Sequence, residues 1–295
     1  MNPISTIKQF ILMTIIMSCL PLFAQEQPIR YVIHPQLSAD FKKLAYYTRE
    51  GNHGAAWLYN LDTGENIKLT QHNGYDANPS FSPDGNELAF TTAEGMRTNW
   101  NQVKMELATG KITTLVESPE REMHVSWSPD GKYIAFLQFV EGGTNLMVID
   151  SDGNNLRKMD VSDGGKFHPK WAWDSQSITY DLNSNIYQYN LKTKKEQQLT
   201  KDGKGREVAN VTGHLSPDGK YLVYAKYRKN TKTLHTLEIS TGKEKLLNSY
   251  SGEESAGGPF FSADGKKIVY HYSKGNQFEI RMMNSDGTGD QLVVK

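Results

Sequence analysis

The chain has almost no cysteine. Cys19 is the single one in 295 residues, so no intrachain disulfide can form and no cysteine cluster can hold zinc or iron–sulfur. It also lacks a charge excess. Lys and Arg number 33 against 33 Asp and Glu, so no field over the whole surface favours nucleic acid or an anionic membrane. Short catalytic signatures are missing too. There is no Gly-x-Ser-x-Gly elbow, no Gly-rich phosphate loop after a strand and no His-Glu-x-x-His helix, which removes the commonest hydrolase, nucleotide and zinc-protease readings.

Long apolar runs are equally scarce. The one present, Phe10 to Phe23, follows Lys8 and precedes Ala24 and the polar Gln25-Glu26-Gln27. A weakly basic start, an apolar stretch and a small residue before a polar turn read as a signal peptide over residues 1–24. A retained anchor is the alternative, but 14 apolar residues broken by Pro21 fall short of the roughly 20 that span a bilayer. Lipid attachment is another, because Ile16-Met17-Ser18-Cys19 is loosely similar to a lipoprotein box. The expectation is a periplasmic or secreted chain of residues 25–295 with no integral span after cleavage. Lipidation at Cys19 would make it an outer-membrane lipoprotein.

What the chain does have is a repeat. Ser82-Pro83-Asp84-Gly85 lies between Asn78–Phe81 and a second strand through Leu88 and Phe90. Proline pre-sets the first turn position, aspartate accepts a backbone N–H, and glycine takes the left-handed position. The repeat aspartates are Asp40, Asp84, Asp130, Asp174, Asp218 and Asp264, spaced by 44, 46, 44, 44 and 46 residues. Four short strand-like segments per period of this length are the signature of a propeller blade. The predicted fold is therefore all-β: a six-bladed β-propeller with four antiparallel strands per blade. The blades fall roughly at 31–70, 75–116, 121–160, 165–200, 208–248 and 256–295. Leu37, Phe81, Trp127, Trp171, Leu215 and Phe261 stand three residues before each aspartate and should pack between neighbouring blades. The second strand should be half-buried, with Leu88 and Phe90 on alternate sides. Phe41 and Ser175 replace the turn glycine, so those two turns should be altered.

Six copies of this unit, with segments such as Lys132–Phe136 and Asn145–Gly153, resemble the TolB-type propeller repeat, a WD40-like repeat. The resemblance covers nearly all of residues 25–295. It implies an exported propeller that binds an envelope protein or a glycan and does not bind nucleic acid. TolB itself has an α/β domain before its propeller, whereas here the first repeat follows almost directly on the leader, so the resemblance is to the propeller alone.

One constellation offers chemistry. Six residues before each aspartate, where the innermost strand begins, stand His34, Asn78, His124, His168, Thr212 and Gly258. Four residues before it stand Gln36, Ser80, Ser126, Lys170, His214 and Phe260. Equivalent positions lie at one height around a propeller channel, so His34, His124 and His168 share a level, with His214 and Gln36 close below. Such side chains serve backbone or water contacts, bind a ligand, or hold a divalent metal through His34, His124 and His168. Trp100 with Arg97 either contacts a ligand at the mouth or is buried over the blade, the commoner outcome. A basic set comprising Lys192, Lys194, Lys195, Lys201, Lys204, Arg206, Arg228, Lys229 and Lys232 is either a patch for an acidic glycan or partner or, more commonly, solvated loop residues. The leading expectation is a non-enzymatic binding module without a cofactor. The alternative is a metal-dependent polysaccharide lyase, since propeller repeats with channel histidines resemble the oligogalacturonate lyases.

Overall fold

The computed structural model describes residues 30–295, apart from 52, 72–73 and 94–99. The expected leader, Cys19 and Arg97 lie outside the described residues. Within them the chain is an all-β propeller of 24 strands.

The strands pair in chain order. The inner strands are Arg30–Leu37, Tyr75–Phe81, Arg121–Trp127, Lys166–Trp171, Val208–Leu215 and Glu254–Phe261. Each pairs antiparallel with the strand that follows its turn: Lys43–Glu50, Glu87–Ala93, Tyr133–Val140, Ser177–Leu182, Tyr221–Arg228 and Lys267–Lys274. Two more strands complete each set. The last four sets are separate four-stranded sheets. The first two are joined into one eight-stranded sheet through a single parallel pairing, Gly54 with Tyr75.

The Ser-Pro-Asp-Gly turn forms as its residues dictate. Gly85 takes φ 69° and donates its N–H to the Ser82 carbonyl at 2.9 Å. The Ser82 hydroxyl donates to Asp84 at 2.6 Å, and Asp84 accepts the Asn86 N–H at 3.1 Å. The two glycine-less turns keep the closing backbone bond, while the fourth is altered in its side-chain bonds, Asp174 accepting from the Gln176 and Ser177 N–H groups and the Ser177 hydroxyl. Phe41 and Ser175 take φ 59° and 53° and close the same bond, to Ser38 and Ala172. Packing offsets the left-handed strain: Phe41 joins an apolar cluster, and the Ser175 hydroxyl accepts the Asp130 N–H at 2.9 Å.

The six residues three before the aspartates are all buried, each in a different apolar cluster between consecutive sets. The second strands are buried on both faces rather than one. Leu88, Ala89 and Phe90 are all fully inaccessible, because each sheet is sandwiched between two others. No strand crosses the seam among the described residues. The first and last sets meet through side chains alone, Val32, Leu37 and Tyr46 against Val269, Ile280 and Val294, with the Tyr31 and Phe278 rings 4.5 Å apart.

Candidate functional site

The channel site is made by one backbone device used six times. In every inner strand the register slips around the position six before the aspartate. His34, Asn78, His124, His168, Thr212 and Gly258 there take φ between 50° and 63°. An inserted residue with a left-handed backbone is a β-bulge, and a bulge re-aims its side chain. For five non-glycine residues this conformation costs about 1 kcal/mol or more each. Proline follows at four of the six positions and fixes the next φ.

The three histidines do come together. Ring centroids are 4.9 Å apart for His124 and His168, 5.3 Å for His34 and His168, and 6.3 Å for His34 and His124. A fourth ring joins them from a second strand: His271 stacks 6.0 Å from His34. His271 pairs across from Gly257, and the glycine pair Gly257-Gly258 leaves it room. A Cβ on Gly257 would stand 2.2 Å from Tyr227 Oη and 2.9 Å from His271 Nε2. At the equivalent place in the fourth set stands Asp181. Its carboxylate lies 2.6 Å from His168 Nδ1 and accepts the Thr212 N–H at 2.9 Å. Asp181 and His271 were missed by reading inner strands alone. Both fall seven residues after a repeat aspartate, which is the signal that finds them.

Burial shapes the protonation of this cluster. It pushes His34 and His124 well below the ordinary imidazole range, helped by neighbouring rings and by Lys170. Burial, with His168, lowers His271 to about 4. It raises the Asp181 carboxyl, an effect opposed by His168. These are the expected signs for charges denied water.

One level lower the channel is closed. Lys170, His214 and Phe260 reach inward, and Trp173 stands where three of the six sets have proline before the aspartate. The His214 ring stacks on Phe260 at 3.9 Å and its Nδ1 accepts the Phe261 N–H at 3.1 Å. Ser80 and Ser126 make the same strut, accepting the N–H of Trp127 and Trp171 at 2.9 and 3.1 Å. His214 and Gln36, at 2% and 5% exposure, thus belong to the plug and not to the mouth. The space among the histidines is about 20 Å³, room for one water. The space below the plug is about 80 Å³.

Other sequence candidates separate from this site. Trp100 is 1% exposed, held between Tyr75 at 4.8 Å and the Arg121 guanidinium at 3.9 Å; it is core, not a presented ring. The strand Lys195–Gln198 divides the basic set, with Lys192 and Lys194 before it and Lys201, Lys204 and Arg206 after it.

The residues as placed do not fit a divalent metal. Among the described residues no three His, Cys, Asp or Glu groups converge to hold one. One nitrogen of His168 is engaged by Asp181, and one of His34 lies 2.7 Å from the Asn78 amide nitrogen. The Lys170 ammonium lines the same space and opposes a second cation.

The TolB β-propeller domain family matches residues 23–207 and 103–295. Among curated relatives, the uncharacterized peptidase YuxL of Bacillus subtilis is 27% identical over 65% of the chain. The Tol-Pal system protein TolB of Wolinella succinogenes is 24% identical over 76% of it. The chain spans only 28% and 54% of these two relatives. Among solved structures, TolB from Acinetobacter baumannii has a TM-score of 0.69 at 20% identity, covering 88% of this chain and 62% of that one. An oligogalacturonate lyase in complex with manganese has a TM-score of 0.62 at 15% identity, covering 91% and 78%. At such identities the structural likeness is one of fold.

Proposed function

The chain belongs to the TolB β-propeller domain family, and from that membership we propose that it is an exported, non-enzymatic six-bladed propeller that binds a protein or glycan of the bacterial envelope. The eight-stranded sheet is read as two blades, because one parallel pairing alone joins its halves. Export to the periplasm rests on the N-terminal reading. The observation that carries the binding function is the closed channel. With about 20 Å³ at the histidine level and a plug of Lys170, Trp173, His214 and Phe260 beneath, no sugar ring can enter. Recognition then falls to the rim around the mouth.

The lyase alternative has one observation in its favour, the approach of the His34, His124 and His168 rings. It lacks a converging donor set and a substrate-sized space, so the binding module is the better reading. Site-specific photo-crosslinking in the producing cell tests it. Probes at Glu141 and Lys229, on the strand turns at the rim, should yield one defined adduct, and a probe at Lys192, on the opposite face, should yield none. Equal labelling from both faces, or release of unsaturated uronate from polygalacturonate by the purified chain with manganese, would overturn it.

A further inference from the structure

The channel contains a cation with no carboxylate partner. The Lys170 side chain lines the central space with His34, His124 and His168. Its Nζ lies 5.9 Å from the Phe260 ring centre. No carboxylate pairs with it among the described residues. The Asp181 carboxylate, which touches two residues lining this space, is engaged by His168 and the Thr212 N–H. Lys170 is partly buried, and an ammonium that loses hydration without a direct ion pair is left under-compensated. Burial lowers Lys170 to about 8, which leaves it mostly protonated at neutral pH. Its charge reaches the rings above and below, depressing His34, His124 and His214 alike.

We propose that the centre of the channel is a binding site for one small monovalent anion of halide size, with Lys170 as its counter-charge. Size sets the class. The space of about 20 Å³ takes a single atom-sized occupant, and Pro35, Pro169 and Pro259 in its wall give a stiff collar. Chemistry agrees. With the Asn78 amide donating to His34 Nδ1, the His34 ring carries its proton on Nε2 and offers an N–H donor. An anion here would give the Lys170 ammonium the direct contact that no carboxylate of the described residues makes.

Crystals soaked in sodium bromide test the site directly by anomalous scattering. One bromide peak is expected on the channel axis beside Lys170. Thermal unfolding gives the second readout. The midpoint should rise with chloride above the level reached in gluconate of equal ionic strength, and Lys170→Met should weaken the apparent chloride affinity about ten-fold or more. No peak in the channel overturns the proposal. So does a Lys170→Met protein that answers chloride as the wild type does. The bromide soak needs only the unaltered chain, so it decides the matter even where the variant fails to fold.

Discussion

Acidification should unfold this propeller partly through one ring, His214. The imidazole is 2% exposed, stacked on Phe260, and uses Nδ1 as an acceptor for the Phe261 N–H. A second proton would end that bond and place a cation near Lys170. Burial first, and Lys170 second, lower its pKa from 6.5 to about 3. Because the folded value lies below the unfolded one, the unfolded chain binds more protons once the pH drops under 6.5. Stability from this group is intact above 6.5 and is lost as pH falls toward 3. At about 1.4 kcal/mol per pH unit, His214 alone costs about 2 kcal/mol by pH 5. Urea unfolding at about pH 7.5 and about pH 5 measures it, beside His214→Asn, whose amide oxygen preserves an acceptor but takes no proton. The stability lost between the two pH values should be about 2 kcal/mol smaller in the variant. The other buried histidines contribute to both proteins and cancel. Parallel losses in the two proteins would refute the reasoning.

Three further substitutions probe the same channel. Gly257→Ala puts a methyl 2.2 Å from Tyr227 Oη and 2.9 Å from His271 Nε2, and should cost about 1–3 kcal/mol by overpacking; an unchanged melting temperature would show that His271 does not occupy the glycine gap. Thr212→Gly should stabilise by about 1 kcal/mol in denaturant unfolding, since a β-branched residue at φ 57° gives way to one without that strain while its N–H still reaches Asp181. Ser126→Ala leaves the buried Trp171 N–H without its acceptor at 3.1 Å and should cost about 1–3 kcal/mol, with faster amide exchange at Trp171 as the local sign.

Much of this molecule is written in its repeat, and the repeat explains where reading stops. The aspartates set a register, and counting back six residues reached all six bulges, although nothing in the residues alone said that His34 or Thr212 would turn left-handed. Counting back four reached the plug but not its role. His214 and Ser126 have the chemistry of ligand contacts, and only the neighbouring set's N–H shows that they are struts. Trp100 was left open between burial and ligand contact for a different reason. Its burial depends on Tyr75 and Arg121, which come from other strands and have no fixed spacing to it.

The missed residues, Asp181 and His271, share a single cause. The residue seven after the repeat aspartate normally packs into the sheet-to-sheet core, as Leu137 and Ala225 do at 0% exposure. A polar group there needs a partner or a gap: the Thr91 hydroxyl bonds Gln102 of the third strand at 3.3 Å. His168 supplies Asp181 with a partner, and Gly257-Gly258 supplies His271 with a gap. Gly257 lies directly opposite His271, whereas the residue opposite Asp181 is Phe167 and its partner His168 is the next one along, in the bulge. In this chain Asp181 and His271 each meet a bulged histidine of the channel, Asp181 at 2.6 Å from His168 Nδ1 and His271 with its ring centre 6.0 Å from that of His34.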